Sequence, residues 1–296
     1  MRFLVFGSGA VGTLVGGLLA KAGHRGVLIG RSWNIEGIRN KGISISGIWG
    51  EHRISSVPCY ESIEAIPNHQ REFDLVIITV KSFDTENAIL SCFPVIQDQT
   101  IVISCQNGYG NCQKIADQIG WQKTLGIRFI TGVELPEPGV IRVTVHADAL
   151  RLGHYLCQFP TNQLESLARI FREAGIPTQA TDQLEQYIWA KILYNAALNP
   201  LGAMLGVTYG ALAENESTRS IMDKIIEEAF TVTSQCGIRQ FWSNGGDYKE
   251  AFYHQMVPPT ASHFPSMLRD LEKGRRTEID VLNGAICQLG KDVQKP

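Results

Sequence analysis

The sequence predicts an α/β protein with two domains: an N-terminal domain that alternates strands and helices, followed by an all-α C-terminal domain. In the first half, helical segments separate apolar runs of strand length, such as residues 2–6, 74–80 and 100–104. Continuous apolar runs of this kind are typical of a parallel sheet covered on both faces. From about residue 182, apolar side chains recur at helical spacing instead. A chain of 296 residues is long enough for two domains, and we place them at residues 1–181 and 182–296.

A glycine-rich turn follows the first predicted strand. The apolar run at residues 2–6 leads directly into the motif GSGAVG, an alanine- and leucine-rich helical stretch comes next, and residues 27–30 form the second predicted strand. Between a strand and a helix, such glycines permit a tight turn, close approach of a pyrophosphate, and packing of the helix on the strand. We therefore predict a Rossmann-type dinucleotide-binding domain. Its phosphate contacts are expected at Gly7, Ser8, Gly9, Ala10, Val11 and Gly12.

The residue after the second strand indicates which dinucleotide binds. NAD sites usually carry Asp or Glu there, which binds the ribose 2′-hydroxyl. This chain has Arg31 followed by Ser32. A guanidinium at that place suits a 2′-phosphate, so NADPH is the predicted cofactor. The alternative is that Arg31 is a solvated loop residue.

Composition excludes several classes of function. A net charge of −2 lacks the positive charge that is typical of proteins that bind nucleic acid or an anionic membrane. The seven cysteines are scattered without a C-x-x-C pair, which favours reduced thiols and a cytoplasmic protein. The histidines lack metal-ligand spacing, so no metal is expected. A secretory signal at the N-terminus is disfavoured because glycines interrupt the apolar run, and no other segment has the roughly 20 apolar residues of a membrane span.

The segment KILYNAALNPL carries the most unusual polar pattern. Lys191, Asn195 and Asn199 are spaced four apart, so on a helix they share one face, and Pro200 is expected to end or kink that helix. Three polar groups on one face of an otherwise apolar helix suggest a functional site that these side chains line. The alternative is an exposed polar stripe on a surface helix.

Four further residues are candidates by their position. Lys81 and Asn107 stand just past the ends of two predicted strands, where cofactor and substrate groups bind in α/β sheets. Ser266 and Glu278 lie in a charged segment near the end of the chain. Taken alone, Ser266 is explained as a helix cap and Glu278 as a charge in a first helical turn.

These motifs together resemble the ketopantoate reductase (2-dehydropantoate 2-reductase) family. The resemblance runs from end to end and rests on GSGAVG at residues 7–12, VKS at 80–82, CQNG at 105–108, KILYNAALNPL at 191–201 and SMLRDLEKGRRTEIDVLNG at 266–284. The last two motifs are not found in dinucleotide-binding proteins in general. The resemblance implies an NADPH-dependent reductase of a small 2-oxo acid, with a homodimer formed through the helical substrate domain.

The resemblance also implies roles for individual residues. Lys191 matches the general acid, and Arg31 matches an arginine that binds the 2′-phosphate. The substrate-binding residues of the family match Asn195, Asn199 and Ser266, besides Lys191. The cofactor contacts near the nicotinamide ribose match Lys81 and Asn107, and a glutamate at the junction of cofactor and substrate matches Glu278.

The chain departs from the family at two positions, and these departures leave the substrate open. Tyr209 and His263 stand where some members carry asparagine. The favoured activity is reduction of ketopantoate to pantoate in pantothenate and coenzyme A biosynthesis. The alternatives are reduction of a different branched 2-oxo acid and a non-catalytic NADPH-binding sensor, although a sensor would need neither Lys191 nor Glu278.

Overall fold

The computed structural model describes residues 1–155 and 159–294. They divide into two compact units. The first comprises Met1–Asn107 and Asn111–Leu184, and the second comprises Gly108–Gly110 and the chain from Glu185 onward. Residues 108–110 therefore belong to the second unit, although the predicted domain boundary at residue 181 places them in the first domain.

The described part of the first unit contains twelve strands in two sheets. The strands are β1 (Arg2–Phe6), β2 (Arg25–Ile29), β3 (Ile43–Gly47), β4 (His52–Ile54), β5 (Cys59–Tyr60), β6 (Leu75–Ile78), β7 (Ile101–Ser104), β8 (Thr124–Arg128), β9 (Thr131–Glu137), β10 (Val140–His146), β11 (Leu150–Gly153) and β12 (Thr178–Thr181). The helices that accompany them are α1 (Ala10–Lys21), α2 (Ser32–Lys41), α3 (Thr85–Cys92), α4 (Asn111–Ile119) and α5 (Thr161–Glu173).

The larger sheet has eight strands in the order β12-β11-β8-β7-β6-β1-β2-β5. All neighbours are parallel except β8 and β11. Strand order reverses between β1 and β6, because the chain runs outward to β2 on one side and to β7 on the other. The loops that follow β1 and β6 therefore lie side by side at the carboxyl edge. In α/β sheets this is where ligands bind.

The smaller sheet, in the order β4-β3-β10-β9, was not predicted as a separate layer. Helix α1 packs between the two sheets, which explains why it carries no polar face. A Cβ at Gly16 would collide with Leu28 of the large sheet, and one at Gly17 would lie 3.3 Å from Ile43 of the small sheet. Two glycines weaken a helix, but here they let it approach a sheet on each side.

The described part of the second unit contains helices and turns without a strand. Its helices are α6 (Leu184–Leu205), α7 (Tyr209–Glu214), α8 (Glu216–Gln235), α9 (Gly245–Ala251), α10 (Ser266–Glu272) and α11 (Asn283–Asp292). The prediction of an α/β first domain and an all-α second domain is confirmed. Of the two outcomes expected at Pro200, an end or a kink of the helix, the first does not occur, because α6 continues for another five residues to Leu205.

Candidate functional site

The glycine turn between β1 and α1 is fixed by close packing. Gly7 has a φ of +115°, and a Cβ there would lie 2.7 Å from the backbone nitrogen of Val80. A Cβ at Gly12 would overlap the carbonyl oxygen of Gly7. Gly9 differs, because a Cβ at that residue would meet nothing within 4 Å. Gly7 and Gly12 are thus required by the fold, whereas the bare backbone at Gly9 leaves room for a ligand.

The N-terminus of α1 suits an anion. Gly9 precedes the helix, no side chain caps it, and its first turn carries no acidic residue. The first backbone N–H groups of a helix lack partners within the helix, and the helix dipole adds partial positive charge there. These features fit the pyrophosphate of a dinucleotide.

Side chains that the sequence analysis did not single out hold this turn in place. Thr79, just after β6, donates its hydroxyl to the carbonyl oxygen of Gly7 at 2.6 Å. Buried Asn34 on α2 donates to the carbonyl oxygen of Ser8 at 2.5 Å and accepts from the backbone N–H of Gly139 at 2.8 Å. Asn34 therefore links the turn to the β9–β10 hairpin of the second sheet.

Arg31 lies between β2 and α2, on the far side of the glycine turn from β6. It is exposed, and its carbonyl oxygen accepts the first backbone hydrogen bonds of α2, from Asn34 and Ile35 at 3.1 Å each. The first turn of α2 carries no acidic residue. A guanidinium without a neighbouring carboxylate in that turn fits a phosphate better than a ribose hydroxyl.

Lys81 and Asn107 follow the neighbouring parallel strands β6 and β7. Both residues are half-buried. Because Ile78 pairs with Ser104 in the register of these strands, the two loops leave the sheet at the same level. The structure thus places both candidates at the carboxyl edge, next to the strand-order reversal.

A buried polar network fixes the loop that carries Asn107. The carbonyl oxygen of Asn107 accepts from the Ser82 hydroxyl at 2.9 Å and from the Asn111 side-chain amide at 2.8 Å. Asn111 in turn accepts from the Thr85 hydroxyl at 2.9 Å. Ser82, Thr85 and Asn111 are all buried. The loops after β6 and β7 are therefore held as one piece.

In the second unit, Lys191, Asn195 and Asn199 lie on α6 as predicted. Lys191 and Asn195 are half-buried, and Asn199 is 3% exposed. Successive members are about 6 Å apart along the helix axis, from the usual rise per residue. The burial contradicts the alternative of an exposed polar stripe.

Tyr209 makes a short side-chain hydrogen bond to Asn199. Its hydroxyl donates to the side-chain oxygen of Asn199 at 2.6 Å, and Tyr209 itself is buried. Its ring packs edge-to-face against Tyr194 with centroids 5.7 Å apart. Burial raises the pKa of the Tyr209 hydroxyl above its ordinary value, so this group is a donor throughout the neutral range.

The remaining candidates of the second unit are less enclosed. Ser266 is exposed and is the first residue of α10; the cap position that the sequence suggested for it is occupied by Pro265, which makes no side-chain cap hydrogen bond. Glu278 is half-buried and precedes the 3-10 turn Ile279–Val281. His263 accepts from the backbone N–H of Tyr209 through its carbonyl oxygen at 3.0 Å.

The candidate residues thus form two groups, one in each unit. In the first unit the structure joins the glycine turn, Thr79 and Asn34, and separately joins the loops of Lys81 and Asn107. In the second it joins Asn199 with Tyr209. Within residues 1–155 and 159–294, no cluster of three His, Cys, Asp or Glu side chains could hold a metal ion. Among the helices of the same residues, none has the length and apolar character that crossing a membrane requires.

Comparison with known proteins identifies the family. Residues 3–156 match the family described as ketopantoate reductase PanE/ApbA, and residues 183–296 match its C-terminal family. The chain is 42% identical to the 2-dehydropantoate 2-reductase of Aquifex aeolicus over 291 residues, which are 98% of this chain and 91% of the relative. The chain belongs to the ketopantoate reductase family.

Solved structures agree with this assignment. The crystal structure of a PanE/ApbA family ketopantoate reductase from Ralstonia eutropha has a TM-score of 0.87 at 30% identity, with 100% of this chain and 93% of that chain covered. A ternary structure of D-mandelate dehydrogenase with NADH and anilino(oxo)acetate also has a TM-score of 0.87, covering 100% of this chain and 94% of that chain. At 23% identity, the latter shows a shared fold alone. The predictions of family, fold class and oxidoreductase activity are confirmed.

The residues of this ketopantoate reductase that the sequence analysis missed each form a hydrogen bond to a residue that is distant in the sequence. Asn34 hydrogen-bonds the backbone of a residue 26 positions away, Thr79 that of a residue 72 positions away, and Asn111 the side chain of Thr85, which is also 26 positions away. Tyr209 was named in the sequence analysis, but its bond to Asn199 was not predicted. Two sequence signals could have drawn attention to them. Asn34 is a polar residue among apolar helix positions, and Thr79 ends an otherwise apolar strand run.

Proposed function

We propose that this member of the family reduces 2-dehydropantoate (ketopantoate) to pantoate with NADPH, in pantothenate and coenzyme A biosynthesis. The observation that carries the proposal is the polar face of α6, where half-buried Lys191 and Asn195 lead to buried Asn199. A lysine and two amides on one face supply a positive charge and neutral hydrogen-bonding groups. These are the groups that a carboxylate beside a ketone needs for binding and for protonation.

The proposed chemistry divides between the two groups of residues. When bound, the reduced nicotinamide supplies a hydride to the carbonyl carbon. As the π bond of the carbonyl opens, its electron pair moves to the oxygen, and the ammonium of Lys191 stabilises that negative charge and donates the proton that completes the alcohol. Asn195, Asn199 and Ser266 orient the substrate by hydrogen bonds.

The cofactor assignment rests on the first unit. The α1 N-terminus and the bare backbone at Gly9 support pyrophosphate binding through residues 7–12, and Arg31 supports a 2′-phosphate. Lys81, Asn107 and Glu278 are proposed to contact the cofactor. A cytoplasmic location and a homodimer remain predictions; in support of the first, six cysteines of the described chain are free thiols.

A second candidate substrate is another branched 2-oxo acid. The observation that favours it is Tyr209, whose buried ring occupies a position where some family members carry the smaller asparagine. A larger side chain beside Asn199 would change the shape available to the substrate. The cofactor and the roles of Lys191 and Asn195 would be unchanged.

Steady-state assays with a panel of 2-oxo acids test the proposal. NADPH oxidation is followed by absorbance with ketopantoate, shorter and longer branched 2-oxo acids, and an unbranched 2-oxo acid, each repeated with NADH. We expect the highest kcat/KM for ketopantoate with NADPH. A higher value for another branched acid would favour the second candidate. Binding of NADPH without turnover of any acid would instead support a non-catalytic sensor.

A further inference from the structure

The strongest unexplained feature of the second unit is the bond between Tyr209 and Asn199. It joins the first residue of α7 to the last turns of α6, at 2.6 Å between the phenol oxygen and the side-chain oxygen of asparagine. The two residues are 5% and 3% exposed. A short bond between buried neutral groups is not screened by water, so it constrains both side chains strongly.

Tyr209 is itself held from several directions. Its backbone N–H donates to His263 at 3.0 Å, and the next residue, Gly210, donates to Ala261 at 2.8 Å. Its ring contacts those of Tyr194 and His263, with centroids 5.7 and 5.6 Å away. Little side-chain freedom is left to lose, so the hydroxyl is a preorganised donor.

The bond determines which end of the Asn199 amide remains available. An asparagine side chain has an oxygen that accepts and a nitrogen that donates two hydrogen bonds. Tyr209 engages the oxygen. Within the described residues, the amide nitrogen of Asn199 has no hydrogen-bond partner, and it is not among the fully enclosed polar atoms that lack one. The donor end is therefore the one that can contact a ligand.

The carboxylate and ketone of a 2-oxo acid only accept hydrogen bonds, so a binding amide must present its nitrogen to them. We propose that Tyr209 is a positioning residue that fixes the orientation of the Asn199 amide, so that its nitrogen donates to the 2-oxo acid. The proposal rests on the proposed function and deepens it. Tyr209 acts through Asn199 and does not take part in the chemistry itself.

The main test is Tyr209→Phe, which keeps the ring and removes the hydroxyl. We expect KM for the best 2-oxo acid to rise about tenfold, the worth of one well-placed hydrogen bond, while kcat falls much less. The Kd for NADPH should not change. The effect should disappear in an Asn199→Ala background, because Tyr209 then has no amide to orient.

Asn199→Asp separates orientation from structure. A carboxylate still accepts from Tyr209 but has no donor end, so in folded protein KM should rise more than in Asn199→Ala. The matched control is Tyr253→Phe, because that hydroxyl donates to Asp223 at 2.8 Å in the same unit and has no proposed role. It should leave KM unchanged.

Three outcomes would overturn the positioning role. The first is an unchanged KM in folded Tyr209→Phe, and the second is an equal rise in KM in the Asn199→Ala background. The third, decisive if Tyr209→Phe does not fold, is a KM for Asn199→Asp no higher than for Asn199→Ala. Wild-type protein that reduces no 2-oxo acid would instead overturn the proposed function, and the positioning role with it.

Discussion

At the scale of single residues, the site depends on what each side chain can donate or accept. Arg31 and Lys191 are the two cations with the most specific proposed roles, and they lie in different units. Arg31 is exposed, whereas Lys191 is half-buried on an apolar helix. Substitution of Arg31 should therefore affect the Kd for the cofactor, and substitution of Lys191 should affect kcat.

Arg31→Ala should weaken NADPH binding about ten- to a hundredfold and leave NADH binding nearly unchanged. The reason is that a charge-assisted contact to a phosphate contributes roughly 1.5–3 kcal/mol, and NADH lacks that phosphate. The measurement is Kd for both cofactors by fluorescence titration. Arg25→Ala, at the amino end of β2, is the control. Equal losses for both cofactors would remove Arg31 from the 2′-phosphate site.

Lys191→Ala should lower kcat by about 10²–10⁴-fold, the usual contribution of a positioned general acid. Binding of NADPH should persist, because the residues proposed for phosphate binding lie in the other unit. Single-turnover kinetics and a cofactor titration measure the two effects. Lys224→Ala, an exposed lysine of α8, is the control. Near-normal turnover by folded Lys191→Ala would contradict the assignment and direct attention to Lys81.

At the scale of elements, strand order places the loops, and specific side chains fix them. The reversal between β1 and β6 brings Thr79 to the glycine turn. The buried network of Ser82, Thr85 and Asn111 fixes the next loop. Substitutions in these connections should separate stability from ligand binding.

Gly9→Ala and Gly12→Ala form such a comparison. A methyl group at Gly9 meets open space and Gly9 has a φ of −77°, so the free energy of unfolding should stay close to wild type. The same methyl would obstruct close approach of the pyrophosphate, so NADPH binding should be lost. At Gly12 the added carbon overlaps the backbone of Gly7, so stability should fall by about 1–3 kcal/mol. Denaturant unfolding measures the change in stability, and NADPH titration measures the change in cofactor binding. A Gly9→Ala protein that binds NADPH normally would contradict the proposed approach of the pyrophosphate to Gly9.

Asp148, between β10 and β11, should make stability depend on pH. Burial alone would raise the pKa of its carboxyl, but hydrogen bonds from Arg128 and Arg151, with their charges, outweigh burial and lower that pKa. A lowered native pKa stabilises the fold above the unfolded pKa of about 3.9, and this contribution is lost as pH falls through the native value. The guanidinium of Arg128 is 2.6 Å away and only 5% exposed.

Asp148→Asn should therefore destabilise the protein near neutral pH, and its difference from wild type should shrink below about pH 4. Urea unfolding at several pH values measures that difference. Asp98→Asn is the control, because that carboxylate is fully exposed and lies 3.7 Å from Lys123. A difference that stays constant down to acid pH would show that the ion pair contributes no pH dependence.

At the scale of the whole molecule, the residues proposed for cofactor binding lie mainly in the first unit and those proposed for the 2-oxo acid lie in the second. Hydrogen exchange tests this directly. NADPH alone should protect backbone amides of residues 7–13, and addition of the 2-oxo acid should extend protection to residues 191–199, because ligand binding suppresses local opening. Protection confined to the first unit with both ligands present would contradict the proposed role of α6 in substrate binding.

Much of this protein could be predicted from the order of its residues. The strand–glycine–helix sequence at the N-terminus and the four-residue spacing on α6 are local patterns, because turns and helix faces depend on neighbours within a few positions. The α/β and all-α halves follow from the change in apolar periodicity. The family follows from motifs spread along the whole chain.

Other features depend on residues that are distant in sequence and so were decided only by the tertiary structure. The separate small sheet requires β3 to pair with β10, almost a hundred residues later. Asn34, Thr79 and Asn111 act on loops brought near them by sheet order. The bond of Tyr209 to Asn199 requires the chain to turn back between α6 and α7. A side-chain hydrogen bond extends about 3 Å, and only the folded backbone brings such partners within that distance.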